Sequence, residues 1–228
     1  CSHNYNLVRY AFPKSYQRIW ECSQFSWMMG FKMVSAEADF YQRHFQTYFE
    51  TTVGIDPTSF LTLFAQSVSR GSRVWDIGCG SGRDLLWLKK RGFRPTGLER
   101  SIGLARLARG HSGRPVVVGD FENFDFSRIH ADGMLLTATL VHVPPHRVKV
   151  ILSRILTGLK SEGVLFISMK KGAGTVEDDA TGRRFYLWQS KTLESIFQAL
   201  NLTVMTVSSN ASALGTNETW LAYLLRKG

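Results

Sequence analysis

The chain has 228 residues, 44% of them hydrophobic and 12% aromatic, with a formal net charge of +10 and a pI of about 9.8. That is enough for one α/β domain with a well-buried core, and it excludes disorder as the default reading. No apolar run approaches the roughly 20 residues of a membrane span, and no His/Cys cluster has metal-ligand spacing, so neither a membrane nor a metal is expected.

The three cysteines, Cys1, Cys22 and Cys79, form no spaced framework, which suggests a reducing, cytoplasmic setting. The chain begins with Cys1 rather than Met and reads as a fragment or a processed chain. Its basic charge admits nucleic acid or an anionic surface as a partner. The densest runs, Lys89-Lys90-Arg91, Lys170-Lys171 and Arg183-Arg184, lie in different segments, so a solvated basic surface is the plainer reading.

Residues 1–32 are rich in Tyr, Phe and Trp but have no clear period and no signal-peptide pattern. They are expected to form an N-terminal extension before a domain over 33–228. The spacing of Phe40, Tyr41, His44, Phe45 and Tyr48 predicts one helix over 35–52, which Gly54 stops. Asp56-Pro57 starts a second helix, with Phe60, Leu61, Leu63 and Phe64 facing a sheet. Strands follow at 74–77 and 95–98, and Ser101 caps a helix ending at Gly110. Further strands are predicted at 115–118, 134–138 and 163–169, with a helix opened by Pro145 between the last two. Residues 170–188 read as a mobile polar loop returning as an extended segment. A last helix over 191–200 and closing strands at 202–207 and 219–225 complete the chain. Strands alternating with helices imply a mostly parallel, doubly wound sheet.

The most informative stretch is Val74-Trp75-Asp76-Ile77-Gly78-Cys79-Gly80-Ser81-Gly82. An apolar strand runs into an acid, then three alternating glycines, then a helix starting at Arg83. Glycines at a strand-to-helix turn let the backbone bend tightly and a ligand lie close. A phosphate-binding loop leaves the helix N-terminus for a polyanion. Asp76 beside the loop disfavours pyrophosphate and favours a ligand with positive charge. Glu99, 23 residues later at the end of the second strand, is placed to accept from a ribose diol. A nucleoside with a cationic tail meets both demands, and S-adenosylmethionine is that molecule. Asp76, Glu99, Asp120 and Thr137-Ala138 all fall at strand carboxyl ends, where open α/β sheets bind ligands.

Four segments in order resemble the class I S-adenosylmethionine-dependent methyltransferases of small-molecule type. They are Asp76-x-Gly78-x-Gly80-x-Gly82, Gly97-Leu98-Glu99-Arg100-Ser101, Gly119-Asp120-Phe121, and the run from Asp132 to Pro144. The resemblance implies a Rossmann-like, seven-stranded sheet with an antiparallel last strand and helices on both faces. It implies that Asp76 and the loop Gly78, Cys79, Gly80 and Gly82 hold the methionine moiety. Glu99 would take the ribose hydroxyls, with Arg100 beside it. Asp120 would accept from the adenine amine or simply form a turn. Phe121 would pack on the ring or in the core, and Thr137 and Ala138 would lie near the sulfonium.

Methyl transfer needs a general base only when the nucleophile is protonated. His142, after the fourth strand, is the candidate; its alternative is a histidine bonding the backbone. Tyr41, His44 and Tyr48 share a helix face that either lies across the cofactor as a lid or packs on the sheet edge. Arg184 and Tyr186 either bind the acceptor or sit at the surface. Thr139-Leu140-Val141-His142 replaces the Asn/Asp-Pro-Pro-aromatic run of DNA amino-methylases, and there is no Pro-Cys nucleophile. The expectation is a small-molecule acceptor. The alternatives are a tRNA-type RNA methyltransferase, or a protein that binds the cofactor without catalysis.

Overall fold

The computed structural model describes residues 36–212 and 215–228. The aromatic extension 1–32, with Cys1 and Cys22, lies outside the described residues, as does Ser35. Three helices open the described chain: α1 (Ala36–Arg43), α2 (Phe45–Thr52) and α3 (Thr58–Ser67). Then come β1 (Arg73–Ile77), α4 (Arg83–Lys90), β2 (Arg94–Glu99), α5 (Ile102–Ser112), β3 (Val116–Val118) and β4 (Ala131–Leu136). The second half holds α6 (Pro145–Leu156), β5 (Leu159–Lys170), β6 (Thr175–Asp178), β7 (Arg183–Tyr186), α7 (Ser190–Ala199), β8 (Leu202–Ala211) and β9 (Thr219–Lys227).

The main sheet has seven strands in the order β3-β2-β1-β4-β5-β9-β8. Strands β1 to β5 are parallel, and β9 runs antiparallel between β5 and β8. Chain order reverses at β1, which has β2 on one side and β4 on the other. A crevice opens at their carboxyl ends.

The strand period of two decides which side chain enters which core layer. Val74, Leu135, Val164, Phe166 and Leu224 pack against Leu61 and Phe64 of α3 and Trp87 and Leu88 of α4. Ile77, Met134, Leu136, Leu165, Ile167 and Tyr223 point the other way, onto Val148, Ile151 and Ile155 of α6 and Leu193 and Phe197 of α7. Each fully buried large side chain contributes about 1.5–3 kcal/mol, so the two layers together hold the sheet. The sequence-derived expectation of helices on both faces is met.

Local chemistry sets the element ends. Ser101 Oγ accepts from Leu104 N–H at 3.3 Å and caps α5 as expected. The helix passes Gly110 and stops at Gly113, whose φ of 61° supplies the left-handed C-cap. Asp56 Oδ1 accepts from Thr58 N–H at 2.9 Å and starts α3. The helix expected over 35–52 is two helices, because His44 leaves helical geometry at φ −108°, ψ 25°. Residues 170–188 are not a plain loop. They carry the hairpin β6–β7, in which Glu177 faces Arg184 and Asp178 faces Arg183.

Candidate active site

After Ile77 the chain bends through Gly78, Gly80 and Gly82, with φ of 71°, 52° and 75°, values that glycine adopts without strain. The Gly78 and Cys79 N–H groups both donate to the Leu98 carbonyl, at 2.7 and 3.1 Å, fastening the loop to β2. Thr139 Oγ1 donates to the Ile77 carbonyl at 2.6 Å, fastening the same turn to the segment after β4. The glycine loop is therefore clamped from both sides of the crevice.

Three acids gather there. Asp76 is buried, and its Oδ2 has no hydrogen-bond partner. Burial pushes its carboxyl well above the usual range, helped by the charges of Asp84 and Glu99 and opposed by Arg83. Asp84, buried in the first turn of α4, accepts from Arg83 Nε at 2.6 Å. Glu99 is buried and accepts from Gly80 N–H at 3.0 Å and Ser101 N–H at 2.8 Å. Burial raises its carboxyl too, against the lowering effect of those two N–H groups. The Cys79 thiol is pushed up by burial and then by Asp76.

Across the crevice, Thr137 Oγ1 is also buried without a partner. Ala138 sits at φ 55°, a left-handed conformation costly for a residue with a Cβ, and its N–H donates to Ser168 Oγ at 2.9 Å. Among the described residues, the one other buried side-chain polar atom lacking a partner is Trp188 Nε1. An acidic, desolvated cradle with an orphaned carboxylate oxygen and hydroxyl fits a ligand that brings positive charge and hydrogen-bond donors. It does not fit a pyrophosphate. Each Glu99 oxygen accepts one N–H, and a carboxylate offers about four lone-pair sites, so capacity remains for a diol.

Asp120 forms a turn: its Oδ1 accepts from Glu122 N–H at 2.9 Å. Its Oδ2 lies 3.6 Å from Arg100 Nη1, so residues from two of the four segments are neighbours. Phe121 is partly buried and packs against the larger core layer.

The helix face singled out in the sequence does reach the crevice. A Cβ placed on Gly80 would lie 3.3 Å from the Tyr48 ring, so Tyr48 covers the glycine loop. Tyr41 Oη lies 3.0 Å from His142 Nε2. His142 Nδ1 lies 2.6 Å from the Arg184 carbonyl. A carbonyl only accepts, so Nδ1 carries the proton and Nε2 accepts from the Tyr41 hydroxyl. Burial raises both tyrosine hydroxyls; at Tyr41, Arg183 opposes this. The α1–α2 pair is seated by Phe45, whose ring occupies the space that a Cβ on Gly103 of α5 would need.

Two expected acceptor residues are not brought to this site. His44 is exposed and stacks on Phe40 at 4.8 Å, because it is the residue at which the helix breaks. The Arg184 side chain is exposed and pairs with Glu177 at 3.3 Å, although its carbonyl holds His142. Tyr186 is half-buried beside Arg184. Their strand neighbours take the inward face instead. The Arg183 guanidinium lies 4.3 Å from the Phe40 ring and 5.2 Å from Phe185, and bonds Asp178 at 3.1 Å and Tyr41 Oη at 3.4 Å. The Phe185 ring packs on His142 at 4.6 Å. Sequence reasoning missed Arg183, Phe185 and Asp84. The alternation in Arg183-Arg184-Phe185-Tyr186 held the signal, but nothing in it set the register.

A family model described as a methyltransferase domain matches residues 43–207, more than half of the chain. The carboxy-S-adenosyl-L-methionine synthase of Haemophilus ducreyi is 29% identical over 124 residues, covering 50% of each chain. The chain spans about half the length of the curated relatives it matches. Among solved structures, the fold is similar to 1,6-didemethyltoxoflavin-N1-methyltransferase of Burkholderia thailandensis, which was solved with that acceptor and S-adenosylhomocysteine bound. The TM-score is 0.65 at 20% identity, covering 96% of this chain and 92% of that one. The fold is also similar to magnesium protoporphyrin IX methyltransferase of Synechocystis, at TM-score 0.61 and 14% identity, covering 94% and 97%. The family match, the seven-stranded sheet order and the glycine loop with its acids agree: the chain belongs to the class I S-adenosylmethionine-dependent methyltransferase family.

Proposed function

We propose that the protein transfers a methyl group from S-adenosylmethionine to a small-molecule acceptor. The observation that carries this reading is the enclosure of the crevice. Tyr48 covers the glycine loop, and Tyr41 bridges to His142, which the β6–β7 hairpin holds in turn. Such a cover suits an acceptor small enough to be enclosed. Two solved structures of similar fold carry names of small-molecule methyltransferases, which supports the same class.

The cofactor supplies a methyl group on a sulfonium with a neutral leaving group, so the protein's task is mainly alignment. Asp76 would hold the ammonium of the methionine moiety and Glu99 the ribose hydroxyls. Asp120 and Phe121 would take the adenine, and Thr137 and Ala138 would line the approach to the sulfur. His142 would act as general base. Its Nδ1 proton is fixed on the Arg184 carbonyl, so Nε2 presents a lone pair, and an acceptor hydroxyl replacing that of Tyr41 would give its proton there.

The test is to incubate the protein with S-adenosylmethionine and pools of cell metabolites, then follow S-adenosylhomocysteine by mass spectrometry. The expected result is its formation with a methylated small molecule, lowered about 10²–10⁴-fold in His142→Gln. Turnover on RNA alone would favour the reading suggested by the +10 charge. Appearance of carboxy-S-adenosylmethionine, the product in the name of the relatives matched over half their length, would replace methyl transfer altogether.

A further inference from the structure

A second concave site lies by the amino ends of β1 and β2, the opposite end of the strands from the glycine loop. Helix α4 starts at that loop and runs about 12 Å to its last residue, at 1.5 Å per residue. At its far end a cavity of about 380 Å³ is lined by Thr62 and Gln66 of α3, by Trp87 and Lys90 of α4, and by Arg70 and Arg91. Arg70 precedes β1, and its guanidinium lies against Gly92. Arg91 stacks on the Trp87 ring at 3.5 Å and donates to the Trp87 carbonyl at 3.4 Å. That stacking fixes one guanidinium at the cavity wall instead of letting it range through solvent.

None of the lining residues is acidic. Among the described residues, none of Arg70, Lys90 and Arg91 forms an ion pair. Asp56, whose carboxyl is lowered first by its hydrogen bonds with Thr58 and last by Arg91, is engaged with Thr58. Cations at the end of a helix are ordinarily explained by its dipole. That accounts for Lys90, but not for Arg70, which comes from another element, nor for the concavity between them. Just beyond the cavity, Arg73 and Arg94 face each other in register at the starts of β1 and β2 and add to the positive field.

The geometry points to this cavity as a binding site for a compact phosphorylated anion, of the pyrophosphate or condensed-phosphate class. Three cations that form no ion pair among the described residues surround one depression and, with amide and hydroxyl donors from Gln66 and Thr62, match several negative charges carried close together. The volume is that of a small-ligand site. A nucleic-acid strand would call for a track of cations, whereas these converge. The inference does not depend on the methyltransferase reading, since no residue of the acidic cradle lines the cavity.

The experiment is calorimetric titration of the full chain with sodium pyrophosphate and tripolyphosphate at constant ionic strength. Sodium sulfate and a single-stranded RNA oligomer serve as parallel titrants, and Arg70→Gln and Lys90→Gln as variants. Saturable binding tighter than about 1 mM is expected, weakened about tenfold by either substitution. Cooperative thermal unfolding of both variants must match that of the parent. No saturation, equal affinity for sulfate, or affinity unchanged in both variants overturns the proposal. Steeply salt-dependent binding of RNA without pyrophosphate binding also overturns it, in favour of a nucleic-acid face.

Discussion

Asp76 occupies an expensive place for a carboxylate: buried, beside two other acids, with one oxygen unpaired. The cost is consistent with a group kept for a cationic ligand. Its raised pKa sets the sign of two pH effects. The folded protein without ligand holds this proton more tightly than the unfolded chain does. Its contribution to stability is therefore present below the ordinary carboxylate value of about 4 and is lost as pH rises through the raised value. A positively charged ligand pulls the pKa back down, so binding should release a proton and tighten with rising pH over the same interval. In Asp76→Asn, S-adenosylmethionine affinity should fall about ten- to a hundredfold, by about 1.5–3 kcal/mol. Its pH dependence should flatten, and melting of the unliganded protein should become less pH-sensitive. Unchanged affinity and an unchanged pH profile would make Asp76 a structural acid.

Gly82 shows why the loop was legible at the residue scale. A Cβ there would lie 2.9 Å from Ala108 Cβ and 3.0 Å from its backbone, at φ 75°. Gly82→Ala should cost about 1–2 kcal/mol for the left-handed backbone and about 1–3 more for overpacking against α5. Denaturant unfolding that moved by less than 1 kcal/mol would show that α5 yields. Glycine and acid in a fixed order leave few alternatives for the backbone. Asp84 left no such trace, because an acid in a helix's first turn is ordinarily explained by the dipole alone.

At the scale of elements, legibility fell where polar segments were concerned. The amphipathic helices and apolar strands follow from period. The break at His44 does not, since neither glycine nor proline marks it. The β6–β7 hairpin was hidden by its composition: Glu177-Asp178-Asp179 reads as loop, although the two cross-strand ion pairs that register it are present in the letters. That hairpin and α1 meet through Arg183, Tyr41 and His142, and this junction is the proposed cover over the site. Arg183→Gln and Tyr41→Phe should loosen it. Amide exchange in β6 and β7 should rise, and the acceptor KM should increase with little change in S-adenosylhomocysteine affinity. If cofactor affinity falls and KM stays put, the junction serves the cofactor and not the acceptor.

For the whole molecule, the parallel half of the sheet could be inferred from alternating strands and helices. The antiparallel direction of β9 came from resemblance alone, and its place between β5 and β8 was not foreseen, because nothing local to 219–227 encodes a partner in a different part of the chain. The domain boundary is likewise a question for the whole molecule. The family match starts at residue 43, and the residues that cover the crevice start at Phe40. Every group of the cradle and both core layers lies after them. A chain beginning at Met33 keeps all of these. Calorimetry should therefore find S-adenosylhomocysteine bound by the shortened chain about as tightly as by the full one. If the shortened chain remains cooperatively folded but binds no cofactor, residues 1–32 belong to the site and the domain starts earlier than proposed.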